Sequence, residues 1–387
     1  MSVLAGYQRE IYFDGLRGVL PVLPTDLGAL ERVAAERLEP RAFGYVAGAA
    51  GTESTARANR DAFERRRIVP RMLSGVTEPD IAVELFGEPM ASPVLLGPVG
   101  VLTIMHPDGE LAVARAAAGL ATTMVLSTAS GHPMEEVAEA NAGGRRWYQL
   151  YWPKGRDLAE SFLERALAAG YRTLVVTLDN HTLAWRPRDL DHSYLPFLRG
   201  VGIANYVTDP VFQKAIGHPV GEHYLRDAAM AWAAVFGDPS LTWDDLPFLR
   251  RHWDGPIVLK GILHADDARR AADAGMDGVV VSNHGGRQAD GAIAALDALP
   301  AVAAAVGDRL TVLFDSGIRT GSDVIKAMAL GARAVLLARP YAYGLGLAGE
   351  AGVRHVVRSL LADLSITMTV CGIPVLREVT ADVLAGS

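Results

Sequence analysis

At 387 residues, half of them hydrophobic, the chain can bury a sizeable core as one large α/β domain or two smaller ones. A net charge of -7 and a pI near 5.8, with basic residues scattered, exclude an electrostatic footprint for nucleic acid or an anionic membrane. The single cysteine, Cys371, excludes an intrachain disulfide and a cysteine-rich metal site; the longest apolar run is too short to cross a bilayer, and a cytoplasmic protein is expected.

Residues 25–48 read as helical, because Leu27, Leu30, Val33, Ala34 and Leu38 share one face before Pro40 interrupts the pattern. Tyr45 follows among small residues, and on its own it reads as a packing aromatic. From Pro93 onward one unit repeats: an Ala-rich helix ends at a glycine, a few residues follow, and a short apolar strand begins. Gly119, Gly170, Gly275 and Gly331 suit the left-handed position that ends such a helix. The strands after them, Thr123 to Leu126, Thr173 to Val176, Gly278 to Val281 and Ala334 to Leu337, are apolar on both faces, as parallel strands covered by helices must be. A helix from Asp157 is expected, with Asp157 and Glu160 as a capping box and Leu158, Phe162, Leu163, Ala166 and Leu167 as its buried face.

Further strands at Val94 to Leu96, Trp147 to Leu150, Pro256 to Leu259 and Leu310 to Phe314 bring the number to eight. An open sheet gathers its polar groups at one switch point, whereas a barrel can use every strand end. Here almost every strand ends in something polar or in glycine: Gly97-Pro98, Ser127-Thr128, Gln149 with Tyr151, Thr177 with Asp179, Lys260, Ser282 with His284, Asp315 with Gly317, and Arg339. A (β/α)8 TIM barrel with an N-terminal helical prefix and a long fourth-loop insertion follows. The chain is read as one domain: prefix 1–92, barrel 93–179 and 256–345, lid or insertion 180–255, and a C-terminal helical segment 346–387.

The richest stretch is Ser282-Asn283-His284-Gly285-Gly286-Arg287-Gln288, at the end of the Gly278 to Val281 strand. A histidine moves protons near neutral pH, and an arginine three residues on can hold a carboxylate. A barrel mouth carrying His284, Asp179, Lys260, Arg186, Arg287 and Tyr151 is more polar than packing requires. Metal catalysis fits poorly: the ten histidines show no ligand spacing, His218 and His223 read as surface residues, and His106, His132 and His264 read as turn or cap residues. Lys260 could alternatively form a Schiff base. Asp315-Ser316-Gly317-Ile318-Arg319 and Ala338-Arg339 offer a phosphate site, belonging to a cofactor or to a substrate.

With these residues in place, the chain resembles the FMN-dependent L-2-hydroxy acid oxidase family from about Pro40 to Leu376, and the stretch around His284 is that family's active-site signature. Trp185-Arg186-Pro187-Arg188 and Tyr148-Gln149-Leu150-Tyr151-Trp152, with the long fourth loop, are most similar to its lactate 2-monooxygenase branch. The resemblance implies His284 as base, with Asp179 pairing with it and raising its pKa. It implies that Tyr45, Arg186 and Arg287 hold the substrate carboxylate, that Tyr151 bonds the hydroxyl, and that the Lys260 charge stabilises reduced FMN. Pro98, Val99, Gly100, Ser127, Gln149, Thr177 and Ser282 would contact the flavin ring or ribityl chain, and Asp315, Gly317, Arg319, Ala338 and Arg339 the ribityl and phosphate end.

The implied reaction takes a small, lactate-like L-2-hydroxy acid and dioxygen. If the 2-oxo acid is retained, the products are a shortened carboxylic acid, carbon dioxide and water; if it leaves first, they are 2-oxo acid and hydrogen peroxide, an outcome that also suits a bulkier substrate. A homo-oligomer, tetramer or octamer, is implied as well. The chain departs from the family pattern at Asn180-His181, Ala184 and Ala338, beside ligand positions, and at Gly100, where a missing methyl would leave room beside the flavin.

Overall fold

The computed structural model describes residues 4–217 and 224–386, so His218 and His223 lie outside the described residues. Eight parallel strands close into a barrel in the order β10-β3-β4-β5-β6-β7-β8-β9. They are β3 (Val94–Leu96), β4 (Met124–Ser127), β5 (Arg146–Leu150), β6 (Leu174–Thr177), β7 (Ile257–Ile262), β8 (Gly278–Val281), β9 (Thr311–Phe314) and β10 (Ala334–Leu337). Every residue of β4, β6, β8 and β10 is buried, because the barrel interior covers one face and the helices cover the other.

The prefix is not wholly helical. It contains an antiparallel hairpin of β1 (Val83–Leu85) and β2 (Glu88–Met90). Phe86 at its turn packs 5.7 Å from the Trp147 ring and against the start of β8 at Gly278, so the hairpin covers the N-terminal end of the barrel and leaves the other end for chemistry. The helix expected over residues 25–48 is two helices, Leu27–Arg37 and Pro40–Ala47. Asp26 caps the first; Glu39 caps the second, with Pro40 in its first turn, where the missing N–H costs nothing.

Helix ends differ from expectation for local reasons. Gly170, Gly275 and Gly331 adopt left-handed φ of 78°, 74° and 108°, but Gly119 remains helical and Ala121 (φ 51°) turns the chain instead. Gly119 is small because a Cβ there would lie 2.5 Å from the Arg354 guanidinium. The helix Arg156–Ala168 starts after Gly155, so Asp157 and Glu160 form no capping box; the Asp157 carboxylate accepts from Leu158 N at 3.0 Å. Leu158, Phe162, Leu163 and Ala166 are buried, whereas Leu167 is exposed. In the insertion, Phe197 stacks on Trp232 at 4.2 Å and both join the barrel's hydrophobic core. No helix among the described residues is long and apolar enough to cross a membrane.

The final helix, Arg339–Cys371, breaks at Ala348 and Gly349, and the expected barrel boundary at 345 falls inside it. Gly344 and Gly352 press together across the break, where a Cβ on Gly352 would lie 1.9 Å from the Gly344 carbonyl oxygen. Gly275 instead has a left-handed backbone and open space. Gly275→Ala is expected to cost about 1–2 kcal/mol from backbone strain, and Gly352→Ala about 3 kcal/mol from overpacking. Chemical denaturation should therefore rank Gly352→Ala as the more damaging change, and equal midpoints would contradict this packing.

Candidate active site

The C-terminal ends of β6, β7 and β8 bring three charged groups together. Asp179 follows β6, Lys260 lies in β7, and His284 follows β8. Gly261 makes this possible: the β7–β8 register shifts there, its φ is 109°, and a Cβ would come within 3.0 Å of the Asp179 side chain. His284 Nδ1 lies 2.8 Å from Asp179 Oδ1. With the carboxylate ionised, Nδ1 carries the proton and Nε2 is left as a free base.

The loop around His284 is held by side chains. His284 itself has φ 57°, followed by Gly285 (65°) and Gly286 (77°). Its backbone N–H donates to Ser282 Oγ at 3.0 Å, Gly285 N donates to Ser316 Oγ at 3.0 Å, and Gly286 N donates to Asn283 Oδ1 at 3.1 Å. A left-handed non-glycine residue at such a place is stored strain, which the surrounding bonds sustain.

Burial pushes the His284 imidazole below its ordinary pKa, and although Asp179 raises it, Lys260 and Arg186 push it further down. The expected upward shift is therefore corrected: desolvation of the imidazolium outweighs the carboxylate. Burial pushes the Asp179 carboxyl up, but the neighbouring His284, which donates a hydrogen bond to it, and the charge of Lys260 prevail and leave it below the usual range. The pair accordingly rests as neutral imidazole and carboxylate.

Lys260 Nζ donates to Ser282 Oγ at 2.9 Å and pairs with Asp315 Oδ2 at 3.1 Å. Burial lowers its pKa, yet Asp315 and Asp179 more than compensate and keep it cationic. A Schiff-base lysine needs the opposite shift, so the rival reading of Lys260 loses its support.

A second charged group is made of arginines. Arg186 Nε donates to the Arg287 carbonyl at 3.0 Å, and its Nη2 donates to Gln288 Oε1. Arg287 Nη1 donates to the Gly48 carbonyl at 2.5 Å, and Arg339 donates to the Gly285 and Gly48 carbonyls at 2.9 and 3.1 Å. Burial, with Arg186 and Arg339 close by, brings the Arg287 guanidinium down to about 9. Crowded buried guanidinium groups of this kind favour an anion among them. The Arg287 guanidinium lies 5.4 Å above the buried ring of Tyr45.

Tyr45, Pro98, Val99, Gly100, Tyr151, Arg186, Lys260, His284, Arg287, Asp315, Gly317, Arg319, Ala338 and Arg339 line one cavity. Five residues singled out in the sequence do not line it. Asp179 and Ser282 stand behind His284 and Lys260, and Ser127 Oγ donates to Gln149 Oε1 at 2.8 Å. Thr177 is level with Lys260 in the register and borders a second cavity. Gly100 lines the cavity without widening it: a Cβ there would meet the Ala129 Cβ at 2.8 Å, so protein occupies the place of the missing methyl. The sequence reading missed Ala129, Leu183, Phe197, Phe236 and Ser316 as lining residues. Only Ser316 carried a signal, its place within the Asp315 to Arg319 stretch.

These residues fit FMN. Gln149 Nε2 is buried without a partner among the described residues, an amide donor at the position expected to meet the ring. Arg319 and Arg339 border the same cavity, as expected of groups that would meet the phosphate, and the helix beginning at Arg339 has no side-chain cap. The neighbouring helix, Gly321–Ala329, is already capped by its own Thr320 and Asp323, which leaves the Arg339 end for an anion. Ala338, with φ -128° and ψ -89°, keeps its methyl at the cavity edge without closing it.

Comparison with known proteins agrees with this geometry. The FMN-dependent dehydrogenase family matches residues 34–386. The FMN-dependent alpha-hydroxy acid dehydrogenase qulF of Penicillium citrinum is 48% identical over 97% of this chain and 94% of its own length. An L-lactate oxidase of Nostoc sp. is 43% identical over 93% and 98% of the two chains. The crystal structure of a mandelate oxidase superposes with a TM-score of 0.81 at 39% identity, covering 91% of this chain and 96% of its own. The chain belongs to the FMN-dependent dehydrogenase family, and its cofactor is FMN.

An imidazole accepts a proton only when neutral, and burial holds His284 below the ordinary imidazole pKa; with His284 in the base's role that the resemblance implies, kcat/KM of the FMN-loaded enzyme should rise with pH through a midpoint below about 6.5 and then stay level. A midpoint above 7 would show that the imidazolium dominates in the free site.

Proposed function

We propose that this FMN-dependent 2-hydroxy acid oxidoreductase oxidises a small, lactate-like L-2-hydroxy acid with dioxygen as acceptor and decarboxylates the product, giving a shortened carboxylic acid, carbon dioxide and water. The observation that carries this reading is one cavity in which a neutral imidazole backed by a carboxylate, at His284 and Asp179, faces the carboxylate-binding group of Tyr45, Arg186 and Arg287.

FMN, when bound, takes up the two electrons that the substrate loses at C2. The chain does the rest. Arg287 and Arg186 hold the substrate carboxylate by charge-assisted bonds, and Tyr45 adds its hydroxyl. Tyr151 bonds the 2-hydroxyl and fixes C2, since burial keeps its own phenol protonated. His284 Nε2 accepts the proton that the substrate gives up, and Asp179 stabilises the imidazolium that results. Lys260, held by Ser282 and Asp315, supplies a fixed positive charge where negative charge gathers.

A second reading, an oxidase that releases 2-oxo acid and hydrogen peroxide from a bulkier substrate, draws support from the apolar wall of Leu183, Phe197, Phe236 and Ala129 in the same cavity. Product analysis in air separates the two. With L-lactate, acetate and carbon dioxide in equal amounts support the first reading, whereas stoichiometric pyruvate and peroxide overturn it in favour of the second.

A further inference from the structure

The catalytic cavity is not the only opening at this end of the barrel. A second cavity, lined by Trp152, Leu178, Trp243 and Leu246 among others, lies beneath residues 238–246 of the insertion. Among the described residues, Asn180 is the one that borders both. It directly follows Asp179, is 8% exposed, and its Oδ1 has no partner among the described residues.

The turn that carries Asn180 is clamped from two sides. Gln288 Nε2 donates to the Asp179 carbonyl at 2.8 Å and to the Thr182 carbonyl at 3.2 Å. On the opposite side Gly237 approaches so closely that a Cβ there would lie 2.5 Å from the His181 carbonyl oxygen. A carboxamide is thus fixed in the partition, where an aliphatic side chain would have sealed it without leaving a buried polar atom unsatisfied. The same amide sits beside the Tyr151 hydroxyl, the group proposed to hold the reacting oxygen.

We infer that Asn180 retains the 2-oxo acid product: its amide N–H, beside the Tyr151 hydroxyl, donates to the keto oxygen. This inference rests on the function proposed above, and it names the residue that biases the outcome toward decarboxylation. In that step a peroxide oxygen adds to C2, the C1–C2 bond breaks to release carbon dioxide, the O–O bond breaks, and water leaves. The peroxide is the oxidant, formed from dioxygen and the two electrons of the hydroxy acid, so no further reactant is required.

The test uses FMN-loaded wild type, Asn180→Ala and Asn180→Leu. Pyruvate affinity is read from its perturbation of the bound flavin's visible spectrum, alongside the acetate formed per lactate consumed. Both variants should bind pyruvate about tenfold more weakly, the equivalent of one hydrogen bond, and convert a smaller share of lactate to acetate. Wild-type pyruvate affinity in both variants overturns the inference. So does wild-type affinity in Asn180→Leu alone, because bulk rather than the amide would then be the retaining feature. Anaerobic bleaching of each variant by lactate shows that its site has assembled. A wild type that lactate fails to bleach refutes the proposed function instead.

Discussion

The part-buried pair of His284 and Asp179 is the constraint around which the rest of the molecule is arranged. A carboxylate taken out of water must be paired, and an imidazole taken out of water prefers to be neutral; placed 2.8 Å apart, the two satisfy each other only in one tautomer. That tautomer leaves Nε2 free. Several costly local features serve the pair: the left-handed bulge at Gly261, the left-handed φ of His284, and the Gln288 bonds that fix the turn after Asp179. Ser316, with φ 82°, adds another, because its Oγ accepts from Gly285 N and donates to Asp315, joining the base loop to the partner of Lys260. Strained residues gathered at one barrel end mark where geometry has been favoured over local stability.

Charge explains how the cavity is divided. Lys260 is paired with Asp315 and kept cationic, so it is held in one place. The arginines are different: they donate to carbonyls of residues 46–48 and 285–287 and repel one another, which makes them receptive to anions. A ligand pair with a phosphate at one end and a carboxylate at the other matches that arrangement. The lid contributes apolar and aromatic surface, with Phe236 meeting Tyr151 edge-on at 5.7 Å.

The barrel was largely legible in the sequence because each strand is buried on both faces and each strand end is polar, and those two patterns do not depend on tertiary detail. The heptad around His284 was legible for a similar reason, since its glycines and charged residues sit at fixed spacing after a strand. Other features depend on contacts that spacing does not encode. The hairpin tip at Phe86 is legible only once Trp147 and Gly278 are known to lie beneath it. Gly119 resembles a helix terminator, yet its role is to admit Arg354. Gly100 suggested spare room, which Ala129 fills. The sign of the His284 shift was misjudged because a nearby carboxylate is visible in sequence, whereas the depth of burial that outweighs it is not. The direction in which Phe197 and Phe236 point within the long insertion likewise emerged only from the packed lid.

The central claim, that His284 is the base of a 2-hydroxy acid oxidation, is tested most directly by anaerobic stopped-flow reduction of bound FMN in His284→Ala. The variant should retain FMN, because the groups expected to hold the cofactor are elsewhere in the cavity, and reduction by the wild type's best L-2-hydroxy acid should fall by about 10²-fold or more. Near-normal reduction by a variant that still carries FMN would contradict the account.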